Sequence, residues 1–168
     1  MHHRYDSDLA LPELPPGATM PPRFDRLVDY LAHNAAVHPD TETLVDDRER
    51  LTWSTVLARC DRYAAGLLGA GIGAGDRVAV WSVPRIDALL LYLACIRIGA
   101  VFVAVDPRHS PKEASFILGD AEPTILFHIR EFEGQLKHPP RYITKRSGGA
   151  GFKEVTQTLI RSQNYRAA

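Results

Sequence analysis

Cysteine is scarce in this sequence: Cys60 and Cys95 are the only two in 168 residues. They stand too far apart for a metal-binding pair, and both fall on apolar helical stretches. Two reduced, buried thiols in a cytosolic protein are expected, and a disulfide framework is excluded. Long apolar runs are missing as well. The longest, Ala88 to Ile96, is about half the length of a membrane-crossing helix, and the start of the chain lacks the apolar stretch of a signal peptide. The expected location is the cytoplasm, with no membrane span. Net charge is absent too, formally zero, so no global field directs the chain to nucleic acid or to a lipid surface. Nor is there a Gly-x-Ser-x-Gly elbow, a His-Glu-x-x-His pair, or a cysteine with a nearby histidine partner. These absences leave no catalytic residue and no metal site to assign.

What is present is an ordinary globular composition, 45% hydrophobic and 24% charged, in a chain long enough to bury roughly two-thirds of its unfolded surface. The charge is unevenly spread. Residues 1–127 hold 12 basic and 17 acidic side chains, and residues 128–168 hold 8 and 3. The parts are therefore acidic and basic respectively, and the basic tail lacks the aromatic interleaving of a nucleic-acid surface. Five of the twelve prolines lie in residues 1–23, which read as an extended arm. His2 and His3 receive no role.

From Phe24 the pattern becomes periodic. Phe24, Leu27, Val28, Leu31, Ala32 and Ala35 recur at helical spacing, and Pro39 closes that helix. Thr43 to Val45 and Arg50 to Trp53 flank a charged turn and predict a hairpin. Trp53, Val56, Leu57, Cys60, Ala64, Leu67 and Leu68 form a second helical stripe, with Thr52 placed to cap it. Gly71-Ile72-Gly73-Ala74-Gly75-Asp76 follows a helix and opens a strand. A phosphate-cradling loop needs the opposite order, so these are turn glycines.

A strand at Arg77 to Trp81 leads to the apolar helix Arg85 to Ile98, which Gly99 breaks. Ala100 to Val105 is continuously apolar, the pattern of a strand covered on both faces. Asp106 and Pro107 stop it. Ser110-Pro111-Lys112-Glu113 then carries a capping box with proline at the first helical position. Ala114, Ile117 and Leu118 share one face of that helix, Gly119 is its expected end, and Thr124 to Phe127 follows as a strand. Strand, helix and strand in this order predict parallel crossovers. The fold class is therefore α/β, an open, mainly parallel sheet with helices on both faces.

Gly99-Ala100, Val105-Asp106-Pro107, the Ser110-Pro111-Lys112-Glu113 start and Ile117-Leu118-Gly119-Asp120-Ala121, in this order and spacing, resemble the amino-terminal subdomain of adenylate-forming enzymes, nearest to acyl-CoA synthetases. Leu51-Thr52-Trp53-Ser54-Thr55-Val56 is similar to that family's Leu-Thr-Tyr-x-Glu-Leu. The departures are Thr55 in place of glutamate and Ala104 where the family usually has proline. The resemblance covers about residues 24–127, which gives three regions: a Pro-rich arm at 1–23, a partial subdomain at 24–127 and a divergent basic tail at 128–168.

The resemblance implies ATP-dependent, AMP-forming activation of a carboxylate, with ATP, Mg2+ and CoA as family cofactors. Most of the family's catalytic parts lie later than this chain extends. One candidate remains for its phosphate loop. Arg141 to Thr144 reads as a strand, Ser147-Gly148-Gly149-Ala150-Gly151 as a loop ending near Lys153, and Phe152, Val155, Leu159 and Ile160 as a short helix. Ser147, Gly148, Gly149, Gly151 and Lys153 are the candidate cofactor-binding residues. The stretch lacks the family's threonine pair and the proline before lysine, and a basic linker is the alternative reading. Three functions stay open: a truncated acyl-CoA synthetase-like protein without ligase activity alone, a non-catalytic binding or scaffold module, and one chain of a split enzyme. Expected partners are a complementary chain or a second copy, through exposed apolar surface.

Overall fold

The computed structural model of the chain describes residues 24–128 and 142–143. The 1–23 arm and the Ser147 to Lys153 stretch lie outside the described residues.

Helix α1 (Leu27–Val37) buries Val28, Leu31 and Ala35. Leu27 was expected in that stripe, yet it stands half exposed. It occupies the first helical position, where the chain enters from solvent. Phe24 instead packs edge-on against Tyr30 at a 4.9 Å centroid separation. The hairpin of β1 (Glu42–Val45) and β2 (Arg50–Thr52) follows. Its turn is organised by Asp46, whose carboxylate accepts the Arg48 and Glu49 N–H groups at 2.9 and 3.0 Å. Trp53, expected at the end of the second strand, starts α2 (Trp53–Gly69). Thr52 caps α2 by accepting the Thr55 N–H at 3.4 Å, the hydroxyl cap expected once glutamate is replaced at 55.

The main sheet contains β3 (Arg77–Trp81), β4 (Val101–Val105), β5 (Ile125–His128) and β6 (Tyr142–Ile143), in the spatial order β4-β3-β5-β6. All three pairings are parallel. Side chains alternate across a strand, so β3 serves two cores at once. Val78 and Val80, with Ile125 and Phe127 of β5, pack beneath α2 and α3 (Ile86–Ile98). Ala79 and Trp81, with Leu126, pack against Ala114 and Leu118 of α4 (Pro111–Ala121) on the other face. Each fully buried Leu, Ile or Val side chain here contributes about 1.5–3 kcal/mol.

Two expectations about this region change. The apolar run of β4 is not covered on both faces: Val101 is 48% exposed and Ala104 is exposed. Its place at the end of the sheet among the described residues explains this, since covering helices centre on β3. Helix α4 also runs through Gly119 to Ala121, and Glu122 takes the left-handed cap at φ 43°. Pro123 sets that boundary, because proline disfavours helical backbone in the residue before it. The capping box at its start is as expected: Ser110 N–H donates to Glu113 Oε2 at 2.8 Å, and Glu113 N–H to Ser110 Oγ at 3.3 Å.

The glycine-rich segment is a turn. Gly71 and Gly75 adopt φ 75° and 84°, and the Gly73 N–H donates to Asp76 Oδ2 at 2.8 Å. A donor held by an internal carboxylate is not presented to a phosphate.

Candidate functional site

The chain leaves β3 toward α3 on one face of the sheet and leaves β4 toward α4 on the other. Between two such strands, at their carboxyl ends, an open parallel sheet has a crevice. A cleft of about 710 Å³ lies there. Its floor is Val80, Ala104 and Val105; one wall is the start of α3 with Leu89 and Tyr92; the other is the hairpin through Leu44, Val45 and Asp46. Most of this lining is apolar. The polar side chains are Asp46, Ser82, Arg85, Asp106 and His109.

Four of these groups, Asp46, Ser82, Arg85 and Asp106, are engaged with backbone or with a neighbouring charged side chain. Arg108 reaches the Asp106 carboxylate with its backbone N–H at 2.8 Å and its guanidinium at 2.6 Å. That pairing holds the Asp106 carboxyl well below the usual carboxylate range. The Asp106 carbonyl accepts the Trp81 Nε1–H at 3.2 Å, tying the turn to the sheet. Asp46 receives the Ile86 N–H at 3.4 Å, so a carboxylate from the hairpin serves the first turn of α3, where Arg85 makes no side-chain cap. The backbone N–H of Arg48 leads the causes that lower the Asp46 pKa. Arg85 pairs with Asp47 at 3.2 Å, and Ser82 Oγ donates to the Val83 carbonyl at 2.7 Å.

A second cluster fastens the hairpin wall from behind. Arg59 of α2 bridges Glu49 at 2.7 Å and Asp87 at 3.2 Å, and the Tyr63 hydroxyl donates to Asp87 at 2.7 Å. Burial, then the hydrogen bond to Asp87, pushes the Tyr63 phenol upward.

The implied cofactors can be tested against these groups. Magnesium needs carboxylate oxygens with free lone pairs in octahedral array, and Asp46 and Asp106 already accept several donors each. Among the described residues no group of three or more His, Cys, Asp or Glu side chains is placed to hold a metal. Neither carboxylate is therefore free to serve as a magnesium ligand, and no step is routed through the cleft. The candidate residues Ser147, Gly148, Gly149, Gly151 and Lys153 lie outside the described residues. The strand expected before them is found as β6, parallel to β5. Its carboxyl end thus lies at the cleft's end of the sheet. The cysteines are inert: burial pushes Cys60 up to about 11 and Cys95 up to about 12. Sequence reasoning missed the Asp46 cap and the Arg59 bridge, whose partners are far apart in the chain. Among the described residues, no helix is long and apolar enough to cross a membrane.

The family model for AMP-binding enzymes matches residues 31–163. A long-chain-fatty-acid–CoA ligase of Thermus thermophilus is 32% identical over 128 residues, covering 70% of this chain and 24% of that ligase. An L-proline–[L-prolyl-carrier protein] ligase of Pseudomonas fluorescens is 27% identical over 100 residues, covering 60% of this chain and 20% of the ligase. Among solved structures, the N-terminal domain of FACL13 from Mycobacterium tuberculosis superposes with a TM-score of 0.69 at 25% identity, covering 80% of this chain and 36% of that one. The chain spans a quarter or less of the length of these curated relatives. With the parallel sheet, its two helical layers and a family match over most of its length, the chain belongs to the AMP-binding enzyme family and corresponds to the N-terminal subdomain of adenylate-forming enzymes.

Proposed function

We propose that this chain supplies the amino-terminal α/β layer of an AMP-forming acyl-CoA synthetase and does not adenylate a carboxylate alone. The observation that carries this reading is the saturation of the cleft's carboxylates by Arg108 and by backbone N–H groups. Adenylation needs preorganised donors and cations aimed at the charge developing on phosphorus. Groups bound to one another serve the fold instead. The likeness to a fatty-acid–CoA ligase at 32% identity supports an acyl substrate.

The test is ATP–pyrophosphate exchange with fatty acids of graded length, aromatic acids and amino acids. The chain alone gives no exchange with any of them. Exchange appears when a polypeptide carrying the remainder of such a synthetase is added, and its acid preference follows that added chain. Exchange by this chain alone overturns the reading.

A second reading makes Ser147, Gly148, Gly149, Gly151 and Lys153 a phosphate-contacting loop. It is favoured by the family match, which runs past Phe127 and through these positions, and by the parallel β6 preceding them. Calorimetric titration with Mg·ATP beside a Lys153→Ala variant separates the two readings. Heat that vanishes in the variant supports the loop; silence from both proteins removes it.

A further inference from the structure

Strand β4 forms one end of the four-stranded sheet among the described residues. Among the described residues it carries no charge, proline or bulge to guard that edge. Its residues are Val101, Phe102, Val103, Ala104 and Val105, uncharged and without proline, in a regular ladder with β3. Edges are ordinarily blunted by lysine, proline or a bulge. One hydrogen bond settles which backbone groups face outward. The Val101 N–H donates to the Asp76 carbonyl at 2.8 Å. In a parallel ladder Val101, Val103 and Val105 therefore turn their N–H and C=O toward β3, and Phe102 and Ala104 turn theirs away. Alanine at 104 keeps an outward donor that a proline would lack.

We propose that this edge joins two copies of the chain, the β4 strands pairing antiparallel about a twofold axis at Val103. In that register Phe102 lies opposite the partner's Ala104, Val101 opposite the partner's Val105, and Val103 opposite the partner's Val103. The outward N–H and C=O groups of Phe102 and Ala104 then all find partners, around a central pair without hydrogen bonds. Side-chain volumes agree with this register. Phe102 leans on Tyr92 at a 5.4 Å centroid distance on the α3 side of the sheet, and Ala104 on that same side is small and exposed. The two Phe102–Ala104 rungs therefore each set a large side chain against a small one. No charge within the strand opposes another, so the pairing carries no repulsion. Tyr92 and Leu89, both partly exposed, extend the apolar surface beside it. A ladder this short covers less than the roughly 1,200–2,000 Å² of a stable interface, so a reversible dimer is expected at micromolar and higher concentration. The twofold makes the contact self-limiting.

Sedimentation velocity on the full chain, from low micromolar to near-millimolar concentration, tests this pairing. The expected result is a shift from monomer to dimer with concentration. Ala104→Pro removes an outward donor while sparing the bonds to β3, and it stays monomeric with unchanged circular dichroism and melting temperature. Val103→Cys gives a covalent dimer when oxidised glutathione is added. The non-hydrogen-bonded pair brings the Cα atoms to about 4.5 Å, within disulfide reach. Leu68→Cys, exposed on α2, serves as the control that does not crosslink. A wild-type chain that stays monomeric throughout, a dimer that survives Ala104→Pro, or crosslinking of Val103→Cys no faster than that of Leu68→Cys overturns the proposal.

Discussion

Gly99 ends α3 at φ 76°, and a Cβ built there meets the Ala74 Cβ at 3.2 Å. Gly99→Ala therefore combines a left-handed alanine with a crowded neighbour and lowers stability by about 1–2 kcal/mol, read by urea denaturation. The reverse substitution at α4 gains stability. Glu122 occupies the left-handed region at φ 43°, so Glu122→Gly raises the unfolding free energy by up to about 1 kcal/mol after the entropy cost of glycine, read as a higher urea midpoint. Asp46, Asp106 and Glu113 all have folded-state pKa values below their ordinary ones, through hydrogen bonds from Arg48, Arg108 and Ser110. Groups depressed on folding add stability that is fully present above their unfolded values of about 4. That stability disappears as pH falls through the folded ones. Acid titration of the folded protein should show this loss, with Asp46→Asn flattening it. At this scale the sequence was readable wherever partners are neighbours. Ser110 and Glu113 are three positions apart and announce their box, whereas Asp46 serves Ile86 from a distant hairpin and leaves no local trace.

The hairpin is a separate two-stranded sheet, so its attachment depends on side chains, chiefly Leu51 in the core and the Arg59 bridge. Arg59→Leu leaves Glu49 and Asp87 without that cation. Amides of β1 and β2 should then exchange faster, by about 1.5–3 kcal/mol in opening free energy, as for hydrogen bonds to charged groups, while those of β3 are unchanged. The same scale shows why helices α2 and α3 and strand β3 were legible and β4 was misjudged. Periodicity reports how many faces of an element are apolar. A strand's position in the sheet depends on which segments pair with it, and that is decided by β3 and β5, elsewhere in the chain. The 710 Å³ cleft was invisible for the same reason, since its walls come from the hairpin, α3 and the turn after β4.

Across the whole molecule, the two cores share β3 and β5 residue by residue: Val78 and Val80 on one side, Ala79 and Trp81 on the other. Neither core can melt while the other persists, so unfolding should be a single transition. Trp81 fluorescence in a Trp53→Phe background reports the α4 face, and thiol labelling of Cys60 and Cys95 reports the opposite face; their urea curves should coincide. The thiols also set an alkaline limit. Their folded values of about 11 and 12 exceed the unfolded value of about 8.5. Their contribution is therefore intact below the latter and declines as pH rises toward the former. The parallel order β4-β3-β5 has one more consequence, in the timing of synthesis. Strand β3 emerges from the ribosome before both of its neighbours, and its second flank stays bare until Ile125 to His128 have been made. A nascent chain halted after Ile98 would present an apolar strand with two open sides, the state most dependent on a holding chaperone.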